Sequence, residues 1–265
     1  MLGRSPMIGG IGRRWGWVHM DVRLDGKVAL VTGGGGGFGR AYSSALAASG
    51  ATVAVADLSL EAAESVAGEI AASGGRSRAY RVDLRQSSEV AALVEAVVAE
   101  FGGLDILLNV GGRSGKVLVR DLPEDEWDAV IDANLKGMFL ACKAAIPHLI
   151  ARGGGRIINM GSNRGIDGQP NGAHYAASKG GVLALSRSLA RELKEHRISV
   201  NALGPGATDT AMWRRGLSAE EADRRIAAGI IGKPEDFAPL VVLLASDLGY
   251  QLTGMTLIRD VYVPR

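Results

Sequence analysis

The sequence predicts one three-layer α/β domain built on a doubly wound parallel sheet, and two observations carry that prediction. Short apolar runs of strand length alternate with longer segments of helical periodicity across residues 27–203. A crossover helix between parallel strands packs back onto the sheet, so this alternation indicates helices on both sheet faces. With 265 residues the chain is long enough to bury one such core.

The predicted elements follow one another in a regular order. We expect six strands, at 27–31, 52–56, 77–82, 106–109, 156–160 and 198–203. Helices are expected at 40–49, 60–73 and 87–101, then from Pro123 through Trp127, Asn134 and Phe139, and from Tyr175 onward. We expect a single domain over residues 21–265.

Residues 1–20 differ in composition from the rest of the chain. They are basic, rich in glycine and free of acidic residues. They lack the continuous apolar core of a secretory signal. We interpret them as a disordered tail or as the product of a start site placed too early, with Met20 as the true beginning. An organellar targeting peptide is a third interpretation.

Charge and hydropathy argue against two classes of partner. The net charge is only +2, and the arginines of residues 1–23 account for it, so the remainder has no basic face of the kind that binds nucleic acid. No apolar run approaches the roughly 18 residues that span a bilayer. We therefore expect neither a nucleic-acid partner nor a membrane segment.

The cysteine and histidine content argues against disulfides and metal sites. Cys142 is the single cysteine, which excludes an internal disulfide and fits a reducing, cytoplasmic location. Its apolar neighbours predict a buried structural thiol. The four histidines show no ligand spacing, so we expect no metal.

A glycine-rich turn follows the first predicted strand, in the segment from Thr32 to Gly39. Glycines let a backbone approach a pyrophosphate closely, and the N-terminus of the following helix presents unpaired N–H groups to it. The second strand ends at Asp57, whose carboxylate is suited to the two ribose hydroxyls of an adenosine and repels a 2′-phosphate. Since a flexible glycine linker would not need flanking strands, this unit predicts a Rossmann fold that binds NAD.

A second motif lies at the end of the fifth strand and in the helix after it. Tyr175 and Lys179 are one helical turn apart and share a face. A nearby ammonium stabilises a phenolate, so the tyrosine becomes suited to acid/base work on a carbonyl or alcohol oxygen, and Ser162 can hold the same oxygen. An ordinary amphipathic pair of residues has the same spacing, so this motif alone is weak.

These motifs and their order resemble the short-chain dehydrogenase/reductase family from about residue 24 to the C-terminus. The resemblance rests on TGxxxGxG at Thr32–Gly39, on YxxxK at Tyr175 and Lys179, and on polar residues that match one by one. Those polar residues are Asp57, Asp83, Asn109, Asn134, Ser162 and Thr210, with Pro205-Gly206 before the last.

The resemblance implies a role for each matching residue. Tyr175 would be the acid/base, Lys179 would lower its pKa and hold the nicotinamide ribose, Ser162 would orient the substrate oxygen, and Asn134 would fix a water next to Lys179. For Asn134 a packing role or a helix kink is the alternative. The implied cofactor-binding residues are Gly33, Gly35, Gly37, Phe38, Gly39, Asp57, Leu58, Asp83, Leu84, Asn109, Gly111, Tyr175, Lys179, Pro205, Gly206, Thr208 and Thr210.

Two segments depart from the family pattern. The usual Asn-Asn-Ala-Gly after the fourth strand is Asn-Val-Gly-Gly at residues 109–112, which we expect to loosen the floor under the nicotinamide. The usual Asp-Gly-Gly near the C-terminus is Asp260-Val261-Tyr262, which predicts a different packing there. The family also implies a homotetramer, with the helices beginning near Pro123 and Gly172 at a subunit interface.

Together these observations predict an NAD-dependent oxidoreductase that interconverts a secondary alcohol and a ketone. An NADPH-dependent ketoreductase of the 3-oxoacyl type is an alternative, disfavoured by the lack of a basic residue at Gly36 or Leu58. A dinucleotide-binding sensor or scaffold is another. We expect a substrate lid at 207–232, or else a solvated segment there. Candidate substrate contacts are Arg113, Arg164, Gln169, His174, Met212, Trp213, Arg214 and Arg215.

Overall fold

The computed structural model describes residues 22–259, which form a seven-stranded, wholly parallel sheet with the strand order β3-β2-β1-β4-β5-β6-β7. The strands are β1 Val28–Thr32, β2 Thr52–Asp57, β3 Arg76–Arg81, β4 Ile106–Asn109, β5 Gly155–Met160, β6 Ile198–Pro205 and β7 Thr256–Arg259. The predicted tail at 1–20 and the departure at Asp260–Tyr262 lie outside the described residues.

Six of these strands are predicted from the sequence, and β7 is not. That strand has only four residues and no fully buried position, so its apolar pattern is too short to indicate a strand. It becomes a strand by pairing with β6, whose Ala202 is opposite Thr256. The pairing partner is more than fifty residues away in the sequence, which no local pattern reveals.

Helices cover both faces of the sheet. They are α1 Gly37–Ala48, α2 Leu60–Ala72, α3 Ser87–Phe101, α4 Glu124–Ile131, α5 Gly137–Ala151, α6 Arg164–Asp167, α7 Ala173–Glu192, α8 Ala211–Arg214, α9 Ala219–Ala227 and α10 Ala238–Ala245. Short 3-10 turns lie at Val119–Asp121, Lys194–His196 and Pro234–Phe237.

Two helix predictions need correction. Helix α1 begins at Gly37, three residues before the predicted start, because the glycines that indicate a turn also form its first helical positions. The long helix predicted from Pro123 is interrupted by a π-helical turn, Asp132–Lys136, between α4 and α5. Such turns occur frequently at functional sites, and this one contains Asn134.

The core is divided by the sheet into two layers. On one side α3, α5 and α7 pack on strand residues such as Leu30 and Leu107. On the other side α1, α2 and α10 pack on residues such as Val31 and Leu108. Successive side chains of a strand point to opposite faces, so each of these strands supplies both layers. The buried thiol of Cys142 belongs to the first layer, where burial raises its pKa to about 12.

The strand order reverses between β1 and β4. Strand β1 pairs with β2 on one side and β4 on the other, so the helices after β1 and β4 leave the sheet in opposite directions. A crevice forms at such a point, outside the carboxyl ends of the strands. Within residues 22–259, no helix is long and apolar enough to cross a membrane and no group of His, Cys, Asp or Glu side chains is arranged to hold a metal.

Candidate active site

A cleft of about 490 Å³ lies at the carboxyl edge of the sheet, at the point where the strand order reverses. The predicted cofactor-binding residues that line it are Gly33, Gly37, Phe38, Asp57, Leu58, Asp83, Leu84, Gly111 and Thr210. Cleft residues that the sequence analysis did not assign to the cofactor include Val82, Arg85, Ala133, Ala211 and Met212. Residues from six separate segments therefore form one surface.

The glycine turn forms the wall of this cleft nearest α1. Gly33 has a φ of +67°, and a Cβ there would lie 2.4 Å from Cα of Gly111, so only glycine permits this approach. A Cβ at Gly39 would lie 2.0 Å from the carbonyl oxygen of Gly33. Gly33 lines the cleft, whereas Gly39 holds α1 against the turn. The N-terminus of α1 therefore opens onto the cleft.

Asp57 lies at the end of β2 with its carboxylate held by backbone N–H groups. Gly35 donates to Oδ2 at 3.0 Å and Ser59 donates to Oδ1 at 3.1 Å. The next residue, Leu58, is 58% exposed and also lines the cleft. Gly35 itself packs against α2 at Ala62. The carboxylate is thus fixed beside the glycine turn, with an aliphatic neighbour.

Asp83 forms an ion pair that the sequence analysis did not predict. Arg85 Nη2 lies 2.6 Å from Asp83 Oδ2, and this hydrogen bond is the main reason that the pKa of Asp83 falls below its usual range. Arg85 lines the cleft as well. The sequence feature that could have indicated this ion pair is the position of Arg85 two residues after Asp83.

Asn109 lies beneath the cleft and does not line it. Its Oδ1 accepts a hydrogen bond from Thr32 Oγ1 at 3.2 Å, and its Nδ2 donates to Asn159 Oδ1 at 2.9 Å. Asn109 therefore connects β1, β4 and β5 through buried side chains. The Val110 departure leaves this segment held by the backbone, since Val110 and Gly111 both donate to the Thr32 carbonyl at 3.0 Å.

Ser162 and Tyr175 come together beside the end of β5. Ser162 is 6% exposed and accepts a hydrogen bond from the Arg164 N–H at 3.2 Å. Burial raises the pKa of Tyr175 above its ordinary value, while a hydrogen bond to Ser162 and the positive charge of Arg164 act in the opposite direction. The serine therefore lies close enough to the phenol to affect its pKa.

Lys179 lies one turn after Tyr175 on α7, with its ammonium nitrogen 5.9 Å from the centre of the tyrosine ring. The lysine is 4% exposed and donates to the carbonyl oxygen of Met160 at 2.7 Å. Burial lowers the pKa of Lys179 to about 8. Ser162 and Arg164 are the groups that oppose the rise in the pKa of Tyr175, and the predicted effect of Lys179 on that pKa stays a prediction.

Asn134 is fully buried in the π-helical turn and holds the loop after β4. Its Oδ1 accepts from the Arg113 N–H at 2.7 Å, and its Nδ2 donates to the Arg113 carbonyl at 2.9 Å. Nδ2 also donates to Ser178 Oγ on α7 at 3.0 Å. A Cβ at Gly112 would lie 2.8 Å from Asn134 Oδ1 and 3.7 Å from Lys179 Nζ, so these groups are neighbours. If Asn134 has a packing role, that role is to hold the loop at Arg113 and helix α7 together through these hydrogen bonds.

The predicted lid segment is closed at its base. Thr208 and Gly232 form a parallel bridge, in which the Asp209 N–H donates to the Gly232 carbonyl and the Gly232 N–H donates to the Ala207 carbonyl, each at 2.9 Å. These bonds join residues 207–209 to Gly232, and the role of the segment between them as a substrate lid stays a prediction. Pro205, Gly206 and Thr208 belong to this base and do not line the cleft, whereas Met212 does.

The candidate substrate arginines differ in their partners. Arg113 pairs with Glu126 at 2.6 Å and Arg214 with Asp209 at 2.6 Å. Arg164 is exposed and forms no ion pair within residues 22–259. His174, another candidate substrate contact, is fully buried, and neither ring nitrogen has a hydrogen-bond partner in that part of the chain.

Comparison with known proteins gives consistent results. A family model described as short chain dehydrogenase matches residues 27–221. The 3-oxoacyl-(acyl-carrier-protein) reductase FabG of Thermotoga maritima is 37% identical over 238 residues, which cover 89% of this chain and 97% of the relative. The D-threitol dehydrogenase of Mycolicibacterium smegmatis is 36% identical, with coverage of 92% and 95%. The cyclohexanol dehydrogenase of an Acinetobacter species is 35% identical, with coverage of 91% and 96%.

The solved structures agree with this assignment. A dehydrogenase/reductase from Sinorhizobium meliloti superposes with a TM-score of 0.83 and 38% sequence identity, covering 91% of this chain and 96% of that chain. The match to the family model covers more than half of the chain and includes the glycine turn, the end of β5 and α7. This chain belongs to the short-chain dehydrogenase/reductase family.

Proposed function

We propose that this protein is an NAD(H)-dependent oxidoreductase that interconverts a secondary alcohol and a ketone. The observation that carries the proposal is a cleft at the carboxyl edge of the sheet, lined by the glycine turn and Asp57. Ser162 and Tyr175 do not line this cleft but lie after β5 at the same edge, and Gly112 of the cleft wall is a neighbour of Lys179. The cleft has the chemistry that a dinucleotide requires: glycines at which a Cβ would clash, the N-terminus of a helix, and a carboxylate.

Asp57 supports NAD over NADP. Its carboxylate is suited to accept the two ribose hydroxyls and repels a 2′-phosphate. Leu58 offers no positive charge, and Arg40, the first basic residue after the turn, forms an ion pair with Glu69. Arg85 is a cation in the cleft, but Asp83 neutralises it. This local charge balance disfavours the NADPH alternative.

The proposed chemistry divides among four residues. Ser162 hydrogen-bonds the substrate oxygen, and Tyr175 moves a proton to or from that oxygen at its phenol. Lys179 supplies a buried ammonium beside the phenol, and Asn134 positions the loop at Arg113 next to that ammonium. The nicotinamide, when bound, supplies or accepts the hydride.

Two side chains near the site, Met212 and Arg164, bear on the class of substrate. Met212 presents an apolar surface from the lid segment, and Arg164 is a cation close enough to Tyr175 to affect its pKa. Met212 favours an alcohol or ketone with an apolar body, and Arg164 favours one that also carries a carboxylate. The relatives carry names of both kinds, a 3-oxoacyl-(acyl-carrier-protein) reductase and two alcohol dehydrogenases, so the NADPH-dependent ketoreductase remains the second candidate. A pure dinucleotide sensor would not need an acid/base pair such as Tyr175 and Lys179.

We also propose a homotetramer in the cytoplasm. Trp127 on α4 and Phe139 and Ile150 on α5 are 40%, 45% and 38% exposed, which supports a subunit interface on these helices. The free thiol of Cys142 supports a reducing compartment. Light scattering after size-exclusion chromatography tests the assembly, since a monomeric mass would contradict it.

The deciding experiment is a fluorescence titration with NADH and, separately, NADPH on the native protein, on Asp57→Ala and on Asp121→Ala. Asp121 is an exposed carboxylate outside the cleft and serves as the control. We expect tighter binding of NADH than of NADPH, and about tenfold weaker NADH binding for Asp57→Ala alone. Preference for NADPH, or equal effects of both substitutions, would overturn the cofactor assignment.

A further inference from the structure

A second cleft, of about 300 Å³, lies at the amino edge of the sheet, opposite the active site. It is formed by residues that precede β1, β4, β5 and β6 and by the segment after α10. None of its lining residues lines the dinucleotide cleft. Whatever binds there is therefore separate from the cofactor and the substrate.

The charges that line this cleft do not balance. Four basic side chains converge on it, namely those of Lys27, Arg152, Arg156 and Arg197, against the carboxylates of Asp105 and Asp247, which leaves two positive charges in excess. Each carboxylate is already occupied. Arg152 Nε donates to Asp105 at 3.0 Å, and Asp247 lies 3.1 Å from Arg156 and 3.7 Å from Lys27.

Two guanidinium groups face one aromatic ring in the cleft. The Cζ atoms of Arg156 and Arg197 lie 5.1 and 5.9 Å from the ring centre of Tyr250. Arg156 is almost buried, with a side chain that is 10% exposed, and three of its N–H donors are used within the chain. A guanidinium has more donors than these three. Burial, and in addition repulsion from Arg197, lower the pKa of Arg156.

The backbone at Arg197 gives independent support. Arg197 has a φ of +57°, a left-handed conformation that is unfavourable by about 1 kcal/mol or more for a residue with a Cβ. Glycine or asparagine adopts it more readily. Arg197 is exposed and has no carboxylate partner within residues 22–259. Its side chain nevertheless lies over Tyr250, with its charge directed to the cleft rather than to an ion pair.

We propose that this cleft binds a phosphate group, either inorganic phosphate or the phosphate of a small ester, between Arg197 and the other basic side chains. Planar guanidinium groups match phosphate oxygens in pairs, and a doubly charged anion offsets the two excess positive charges. The cleft volume suits a small ligand and not a protein segment. The proposal does not depend on the oxidoreductase activity.

Isothermal titration calorimetry at low ionic strength tests the proposal with inorganic phosphate and with glycerol phosphate as probes. The protein is first saturated with NADH, so that phosphate cannot enter the dinucleotide cleft. The test variant is Arg197→Asn, which removes the charge and suits the left-handed backbone. Arg78→Asn is the control, because it removes the same charge from an exposed site on β3. Arg197→Lys restores the charge.

We expect phosphate to bind the native protein and Arg78→Asn equally, and to bind Arg197→Asn about tenfold more weakly or worse. Arg197→Lys should recover part of the affinity. Tighter binding of glycerol phosphate than of phosphate assigns the site to an ester, and the reverse order assigns it to the free anion. Absence of binding to the native protein, or equal binding to all variants, would overturn the proposal. Thermal melting verifies that Arg197→Asn is folded.

Discussion

From the burial of the Lys179 ammonium we predict how the stability of the protein depends on pH. Lys179 is 4% exposed, and burial lowers its pKa from 10.5 to about 8. Methionine has a similar length and no charge, so Lys179→Met removes this titrating group and keeps most of its packing. The free energy of unfolding of the native protein should therefore depend on pH in a way that the variant lacks.

The sign of this pH dependence follows from the number of protons that the folded and unfolded states bind. Between pH 8 and pH 10.5 the unfolded chain holds a proton on Lys179 that the folded chain has released, so the native protein gains stability as the pH rises. Below pH 8 both states are protonated, and above pH 10.5 neither is. The difference between the unfolded and folded pKa values of Lys179 corresponds to about 3 kcal/mol in the free energy of unfolding. The stability of the native protein relative to Lys179→Met should rise by about that amount across the window.

Urea denaturation without a dinucleotide, at a series of pH values across this window, measures the difference. Losing the bond to the Met160 carbonyl shifts the variant by an amount that does not depend on pH, so it leaves the slope unchanged. Lys143→Met is the matched control, because Lys143 is exposed on α5 and its ammonium stays in water in both states. A relative stability of Lys179→Met that stays constant with pH would refute the argument.

Two further substitutions test the site itself. Tyr175→Phe should lower kcat about 100-fold to 10,000-fold on any alcohol that an NAD-linked screen identifies. The affinity for NADH should stay nearly unchanged, because only the phenol oxygen is lost. Retained turnover would refute the mechanism. Gly33→Ala places a Cβ 2.4 Å from Gly111 Cα at a φ of +67° and should lower the free energy of unfolding by about 2 kcal/mol or more and weaken NADH binding. In contrast, a Cβ at Gly36 has no protein atom within 4 Å, so Gly36→Ala should be nearly neutral in urea denaturation; equal destabilisation by the two substitutions would contradict the predicted packing.

The parts of the site that could be predicted from sequence are those encoded within one strand–turn–helix unit. The glycines and Asp57 follow strands with clear apolar patterns, and the parallel arrangement places such residues at one edge. Tyr175 and Lys179 lie on one helix at a fixed spacing. The site residues that could not be predicted depend on partners far away in the sequence. Asn109 was expected at the cofactor, but its amide is used by residues of β1 and β5.

The sequence by itself determined the fold class, because the alternation of strands and helices depends on local periodicity. The chemistry of the Ser162–Tyr175–Lys179 group stays a prediction from sequence. Only the tertiary structure decided the strand order, the seventh strand and the π-helical turn around Asn134. It alone brought Arg156 and Arg197 onto the ring of Tyr250. The physical reason is that these features arise from contacts between distant segments, which form when the helices pack on the sheet and leave no pattern in either segment.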